Sequence, residues 1–168
     1  ISGSGHDTIT TGSGNDWISA GTGNNLINTG AGVDTVDYAG ITGNLNIGTH
    51  VAGLRMTVAG GQVNDTLTMD GVNNVEVYVL GSGNDSFNGS VYGETVYAGV
   101  GNDVFKGTRG IAVDSNYFDG GSGVDMVSYA HVTQAISINL NDTQSTIAVG
   151  LGIDTLVSVE GMIATQGN

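Results

Sequence analysis

Near the start of the chain an apolar residue returns at every ninth position: Ile9, Ile18, Ile27 and Val36. Each is the centre of a short run, Thr8-Ile9-Thr10, Trp17-Ile18-Ser19, Leu26-Ile27-Asn28 and Thr35-Val36-Asp37. This spacing predicts three-residue strands whose middle side chain faces in and whose neighbours face out. The six residues ahead of each run are small: SGSGHD, TGSGND, AGTGNN and TGAGVD. Glycine holds the second and fourth places, and the sixth is Asp7, Asp16, Asn25 or Asp34. Glycine tolerates backbone angles that other residues avoid, which suits a tight turn whose carbonyls point inward.

One such unit cannot bury its single apolar residue, but stacked units can. Two units make one coil turn, so successive turns on one edge come from units i and i+2. Stacked strands lie roughly 4.8 Å apart, which brings their sixth-place carboxylates together. Unbridged, these would repel and raise one another's pKa. A cation removes that penalty, and hard oxygen donors in a flexible carbonyl-rich loop select Ca²⁺ over Mg²⁺ or transition metals.

The pattern sets the organisation of the rest. The first array covers residues 1–37 and gives way to an interruption at 38–79, in which Leu45-Asn46-Ile47 and Leu54-Arg55-Met56-Thr57-Val58 alternate like half-buried strands. Asn64-Asp65-Thr66-Leu67 reads as the tail of a degenerate unit, and Val75 to Leu80 as a strand leading back to the array. A second array occupies 80–128. LGSGNDSFN, with Asp85 and Phe87, and AGVGNDVFK, with Asp103 and Phe105, are good units. Between them GSVYGETVY carries Tyr92 and Glu94 at the fourth and sixth places, so it is expected to keep its strand and bind metal poorly. Gly107 to Asp119 reads as a unit with a four-residue insertion, and GGSGVDMVS restores the pattern with Asp125. Residues 129–168 form a second interruption that copies the first. An offset of 91 sets Asp34 on Asp125 and Tyr38 on Tyr129, while Val75-Glu76 recurs as Val159-Glu160. Asn168 stands one residue before the next expected aspartate, and Ile1 is not a natural start, so the chain reads as a piece of a longer tandem.

The unit resembles the RTX (repeats-in-toxin) nonapeptide G-G-x-G-x-D-x-U-x, where U is a large apolar residue. The resemblance implies an all-β fold, a parallel β-roll or solenoid with a row of calcium ions along each edge. It also implies secretion from a bacterium and folding triggered by Ca²⁺ outside the cell. For each ion it implies the second- and fourth-place carbonyls and sixth-place carboxylate of one turn. The turn two units on adds its first- and third-place carbonyls and its own sixth-place side chain. Those sets are Gly3, Gly5 and Asp7 with Ala20, Thr22 and Asn25, and Gly12, Gly14 and Asp16 with Thr29, Ala31 and Asp34. In the second array they are Gly81, Gly83 and Asp85 with Ala98, Val100 and Asp103, and Gly99, Gly101 and Asp103 with Gly120, Ser122 and Asp125. The neutral Asn25 makes the first of these the weakest.

Composition narrows the function classes. The 168 residues include 30 glycines, 16 acidic and 3 basic residues, for a formal net charge of −13. That charge argues against nucleic acid and anionic membrane surfaces, and no run approaches the ~20 apolar residues of a membrane span. Without cysteine there is no disulfide, which leaves metal as the staple for a thin core. His6, His50 and His131 form no zinc pattern. The glycine runs lack the G-K-[ST] of a phosphate loop, and no serine sits in G-x-S-x-G. Trp17, at an outward seventh place, is either a contact surface or a cover for one sheet face. The chain is therefore expected to be non-enzymatic. The foremost reading is a calcium-stiffened segment of a bacterial surface protein, such as an adhesin, an S-layer subunit or an extracellular fibre. The alternative is the accessory C-terminal domain of a secreted metalloprotease, lipase or alginate epimerase, and a toxin's receptor-binding region is a third. Expected partners are a second copy of the chain, through strand edges in the interruptions, and a cell-surface or glycan contact.

Overall fold

The computed structural model describes residues 3–49, 55–60, 63–68, 76–89, 93–107, 115–130, 132, 136–139, 145–149 and 152–164. His50, Leu54, Val75, Tyr92, Arg109, His131, Thr133, Asn168 and most of the expected insertion after Gly107 lie outside them. The repeat sets the architecture. Strands β1 (Thr8–Thr10), β2 (Trp17–Ile18), β3 (Leu26–Asn28) and β4 (Thr35–Asp37) fall alternately into two sheets, each joined to the next by a glycine-rich turn. β1 pairs in parallel with β3, Ile9 opposite Ile27, and β2 pairs with β4, Ile18 opposite Val36. Two nonapeptides therefore make one coil of a parallel β-roll.

The same winding resumes after the first interruption. β8 (Val77–Val79), β9 (Ser86–Asn88), β10 (Thr95–Tyr97), β11 (Val104–Lys106), β12 (Tyr117–Asp119) and β13 (Met126–Ser128) alternate between the sheets. β8 pairs directly with both β4 and β10, so the roll restarts at Val77, inside the stretch that reads from sequence as interruption. The unit carrying Glu94 keeps its strand, and the lengthened unit places Tyr117 opposite Thr95 in ordinary register.

The interruptions are three-stranded antiparallel meanders. β5 (Leu45–Thr49), β6 (Arg55–Gly60) and β7 (Val63–Thr68) are spliced into the first sheet, in the order β3-β7-β6-β5-β9. β7 continues β3 in parallel, with Thr66 opposite Leu26, and β5 offers a parallel edge to β9. An odd number of strands preserves the chain direction, which is why the roll can resume. The second meander, β14 (Ile136–Asn139), β15 (Ser145–Val149) and β16 (Gly152–Val157), attaches through β16 to β12 in the other sheet. There β13 is followed directly by β17 (Gly161–Ile163) in the first sheet.

The core is the column of inward eighth-place side chains. Ile27, Ile47, Phe87, Phe105 and Val127 line one sheet and Val36, Tyr78, Val96 and Phe118 the other, all at 1% exposure or less. From Tyr78 through the second array the column becomes aromatic. Phe87 stacks on Phe105 at 5.7 Å, Phe105 on Phe118 at 4.8 Å, and Tyr78 meets Phe87 edge-on at 4.9 Å. Such pairs add about 0.5–1.5 kcal/mol each beyond area burial, a useful supplement in a core one side chain thick.

Candidate metal centre

Each strand is entered through a six-residue turn, and the coil spacing stacks these turns on one another. Among the second-place glycines, Gly30 and Gly99 adopt left-handed angles that favour glycine, φ 80° and 101°. The stacking is tight as well: a Cβ on Gly30 would lie 1.9 Å from the Gly12 carbonyl oxygen. The carbonyls named from sequence are thus turned along the roll axis toward the following turn.

The sixth-place side chains form two ladders. On the edge entering the first sheet the amide of Asp7 donates to Asn25 Oδ1 at 2.9 Å. Further along, Asp85 N–H donates to Asp103 Oδ1 at 2.6 Å and Asp103 N–H to Asp125 Oδ1 at 2.8 Å. On the opposite edge Asp16 N–H donates to Asp34 Oδ1 at 2.9 Å. All four carboxylate or amide pairs expected from the i, i+2 register are therefore brought together. The carbonyls follow the same register. Gly12 and Gly99 accept from the amides of Ala31 and Ser122, at 3.1 and 2.8 Å, and Gly81 accepts from Val100 at 3.1 Å. Ala31 and Ser122 return carbonyls to the amides of Gly14 and Gly101, at 2.7 and 2.9 Å. Gly5 packs against Gly23, Gly83 against Gly101, and Ala20, Thr29 and Ala98 are fully buried at the first place of their turns. Gly3, at the outer end of the roll, has open space beside it, and the turn of Thr22 follows it. Gly120 lies against Asp125.

The ladders also hold residues that the nonapeptide pattern does not single out. Asp34 N–H donates to Glu76 Oε2 and Asp125 N–H to Glu160 Oε2, both at 2.7 Å. Glu94 N–H donates to Asn116 Oδ1 at 2.9 Å, and Asn116 donates through its amide and Nδ2 to Asp154 Oδ1 at 2.9 and 2.8 Å. Their sequence signal is position alone: each stands immediately before a strand or, for Asp154, within its start. A second, outer ladder runs beside the first. Fifth-place Asn15, Asn84 and Asn102 accept the amides of Val33, Asn102 and Val124, at 3.0, 2.8 and 2.9 Å.

In Asp34, Asp85, Asp103 and Asp125 one carboxylate oxygen accepts an amide and the other accepts nothing. Oδ2 of Asp16, Asp34, Asp85, Asp103 and Asp125 and Oε1 of Glu76 are buried without a hydrogen-bond partner. Leaving a buried charged oxygen unpaired is costly. Accordingly, burial pushes the carboxyls of Asp85 and Asp103 up from 3.8 to about 6, although the amides they accept oppose the rise. Asp125 is raised too, first by burial and then by the charges of Glu160 and Asp119. Among the described residues no three His, Cys, Asp or Glu side chains gather into one site. The acids come two at a time, one rung above another, so a cation there must also draw on main-chain oxygens. Paired carboxylates, unpartnered oxygens and stacked carbonyls form an all-oxygen donor set that fits Ca²⁺.

Comparison with known proteins agrees with this chemistry. The family model of the RTX calcium-binding nonapeptide repeat (4 copies) matches residues 1–36 and 79–111. No curated protein matches the chain. Among solved structures, the extracellular lipase LipA from Serratia marcescens is similar at 18% identity and a TM-score of 0.27. That match covers 95% of this chain and 37% of the lipase, so the chain spans well under half the length of that protein. RTX nonapeptides bind several Ca²⁺ ions and serve a structural rather than a catalytic role. Residues 1–36 and 79–111 are RTX calcium-binding nonapeptide repeats, and the chain winds them into a β-roll.

Proposed function

We propose that this chain is a calcium-folded structural segment of a secreted bacterial surface protein, of the adhesin, S-layer or extracellular-fibre kind. The observation that carries the reading is the pair of carboxylate ladders. Each has buried, unpartnered oxygens, and both continue on either side of the first meander. Such a roll is strained by its own charge when metal is scarce and is completed when metal is abundant. That suits a polypeptide exported unfolded and set outside the cell, where calcium-binding modules work at ~10⁻⁴–10⁻³ M. The two interruptions lengthen the sheets without breaking the column of core side chains, which favours a rod-forming role over a site for chemistry. Circular dichroism during a calcium titration tests it. Cooperative gain of β-structure in that range is expected, and a chain equally folded in excess chelator would refute it.

A further inference from the structure

The two glutamates that resume the ladders after each half of the repeat lie outside the segments that match the nonapeptide family. Their surroundings are nearly identical. Glu76 Oε2 accepts the Asp34 amide at 2.7 Å, across 42 residues of chain, and Glu160 Oε2 accepts the Asp125 amide at 2.7 Å, across 35. In both places the aspartate carbonyl accepts two amides from the returning strand. Asp34 O takes Glu76 N–H and Val77 N–H at 3.2 and 3.1 Å, and Asp125 O takes Glu160 N–H and Gly161 N–H at 3.0 Å each. A regular rung places one amide there, as Val104 N–H on Asp85 O. The strands return in the regular register, Val77 opposite Thr35 and Gly161 opposite Met126, so Glu76 and Glu160 stand where an array would carry its sixth-place aspartate.

Both aspartates are fully buried, at 0% exposure, and in each Oδ2 has no partner. At the first seam the other acid contributes a second such atom, Glu76 Oε1. At the second seam a main-chain oxygen is turned toward the same place. A point 1.5 Å beyond Gly120 Cα, where a Cβ would stand, is 2.3 Å from Ser158 O and 2.4 Å from Asp125 Oδ2, so the two oxygens converge. Ser158 has φ 51°, and it is the one non-glycine residue with positive φ among the described residues.

We propose that each meander is closed by its own Ca²⁺ site, in which the last turn of an array is completed by an acid from beyond the nonapeptides. The first is made by Asp34 and Glu76, and the second by Asp125, Glu160 and the Ser158 carbonyl. The turns carrying the aspartates add main-chain oxygens, Gly30 and Gly32 in one and Gly121 and Gly123 in the other. The donors are hard oxygens, two of them anionic, as Ca²⁺ requires. The ion ties the residue that leaves the roll to the residue that re-enters it. The meander then becomes a metal-gated loop-out, and the two arrays fold as one unit. This inference rests on the calcium reading above, and its test separates the two.

The experiment counts bound calcium per chain by equilibrium dialysis for the parent, Glu76→Gln, Glu160→Gln and an array control, Asp103→Asn. Glutamine still accepts the aspartate amide, so the ladder geometry survives; dichroism in saturating calcium verifies the fold. Each glutamine variant is expected to bind one ion fewer than the parent. An unchanged ion count and affinity in folded Glu76→Gln and Glu160→Gln overturns the seam sites, while loss of ions in Asp103→Asn keeps the array reading intact. A parent that binds no calcium overturns both. Should a glutamine variant not fold, infrared spectra of the parent carrying ¹³C-carboxyl glutamate decide. Glu76, Glu94 and Glu160 are its three glutamates. A coordinated carboxylate changes the separation of its two stretching bands. Bands of free carboxylate for Glu76 and Glu160 in the calcium-loaded chain would overturn the proposal.

Discussion

Asp103→Asn removes the middle rung of the clearest run of aspartates, and its two expected effects have opposite sign. In the folded, metal-free chain the Asp103 carboxyl is raised to about 6, as is that of Asp85 above which it stacks. A carboxyl with a raised folded-state value favours the fold when protonated, and that contribution is lost as the pH rises from 3.8 through about 6. At pH 7 a shift of about 2 units corresponds to a destabilisation of about 3 kcal/mol per group. Asparagine keeps an Oδ1 for the Asp85 amide and removes the buried charge, so Asp103→Asn should relieve about 3 kcal/mol of strain in chelator. With calcium the same variant should lose affinity, because Asp103 is shared between the Asp85 and Asp125 sides of the ladder. Far-UV dichroism in chelator at pH 7 and at pH 5, followed by calorimetric calcium titration, reads both effects. The parent should gain β-structure on acidification without metal, and Asp103→Asn should already show part of that gain at pH 7. If neither the acid shift nor the variant adds structure, unpaired buried charge is not what keeps the metal-free chain open.

Three further outcomes are expected. Gly123 has φ 150°, and a Cβ there would lie 1.6 Å from the Gly101 carbonyl oxygen; Gly123→Ala should lower the thermal midpoint in saturating calcium by about 10 °C or more, whereas Gly40→Ala, in open space, should change it little. The buried Tyr129 hydroxyl donates to Asp154 Oδ2 at 2.6 Å, so Tyr129→Phe should cost about 1–3 kcal/mol in urea unfolding of the calcium-loaded chain. Asn25→Asp keeps the acceptor for the Asp7 amide and adds a charge to the weakest expected pair, so calorimetry should show an additional or tighter calcium-binding step.

What the sequence made legible is what the nine-residue period controls. Ile9 falls opposite Ile27 and Phe87 opposite Phe105 because each is the eighth residue of a unit two steps from the other. Asp85 meets Asp103 for the same reason. Even the altered unit keeps Val96 in the core column, since replacing aspartate by Glu94 changes the turn and not the strand. The period is silent where the partner lies across an interruption. Glu76 joins Asp34 only because β8 stacks directly on β4, a long-range pairing that no local pattern announces. Asn116 was hidden by the lengthening of its unit, and Asp154 by the longer strand that contains it. Fifth-place asparagines were visible as letters, but their outer ladder needs the stacked geometry to give each carboxamide its amide partner. The alternating residues Leu45 and Ile47 did announce a half-buried strand, and both are buried with Asn46 exposed between them. Which sheet would receive that strand depends on counting units, not on its own composition.

That count has a mechanical consequence. Between β3 and β9 the first sheet holds three strands where the winding supplies one, while the opposite sheet passes straight from β4 to β8. At roughly 4.8 Å per strand, one flank of the roll gains about 10 Å of contour that the other lacks. The second meander adds its surplus to the opposite flank, because six strands, β8 to β13, lie between the two and alternate between the sheets. Two wedges driven in from opposite sides turn an axis one way and then back. Repetition of this arrangement would trace a zigzag whose mean course is straight, whereas an odd number of intervening strands would set every wedge on one flank and curl the axis toward a ring. Adding or deleting one nonapeptide between the meanders therefore moves the second wedge to the flank of the first, and it also changes which turns stack in the carboxylate ladders.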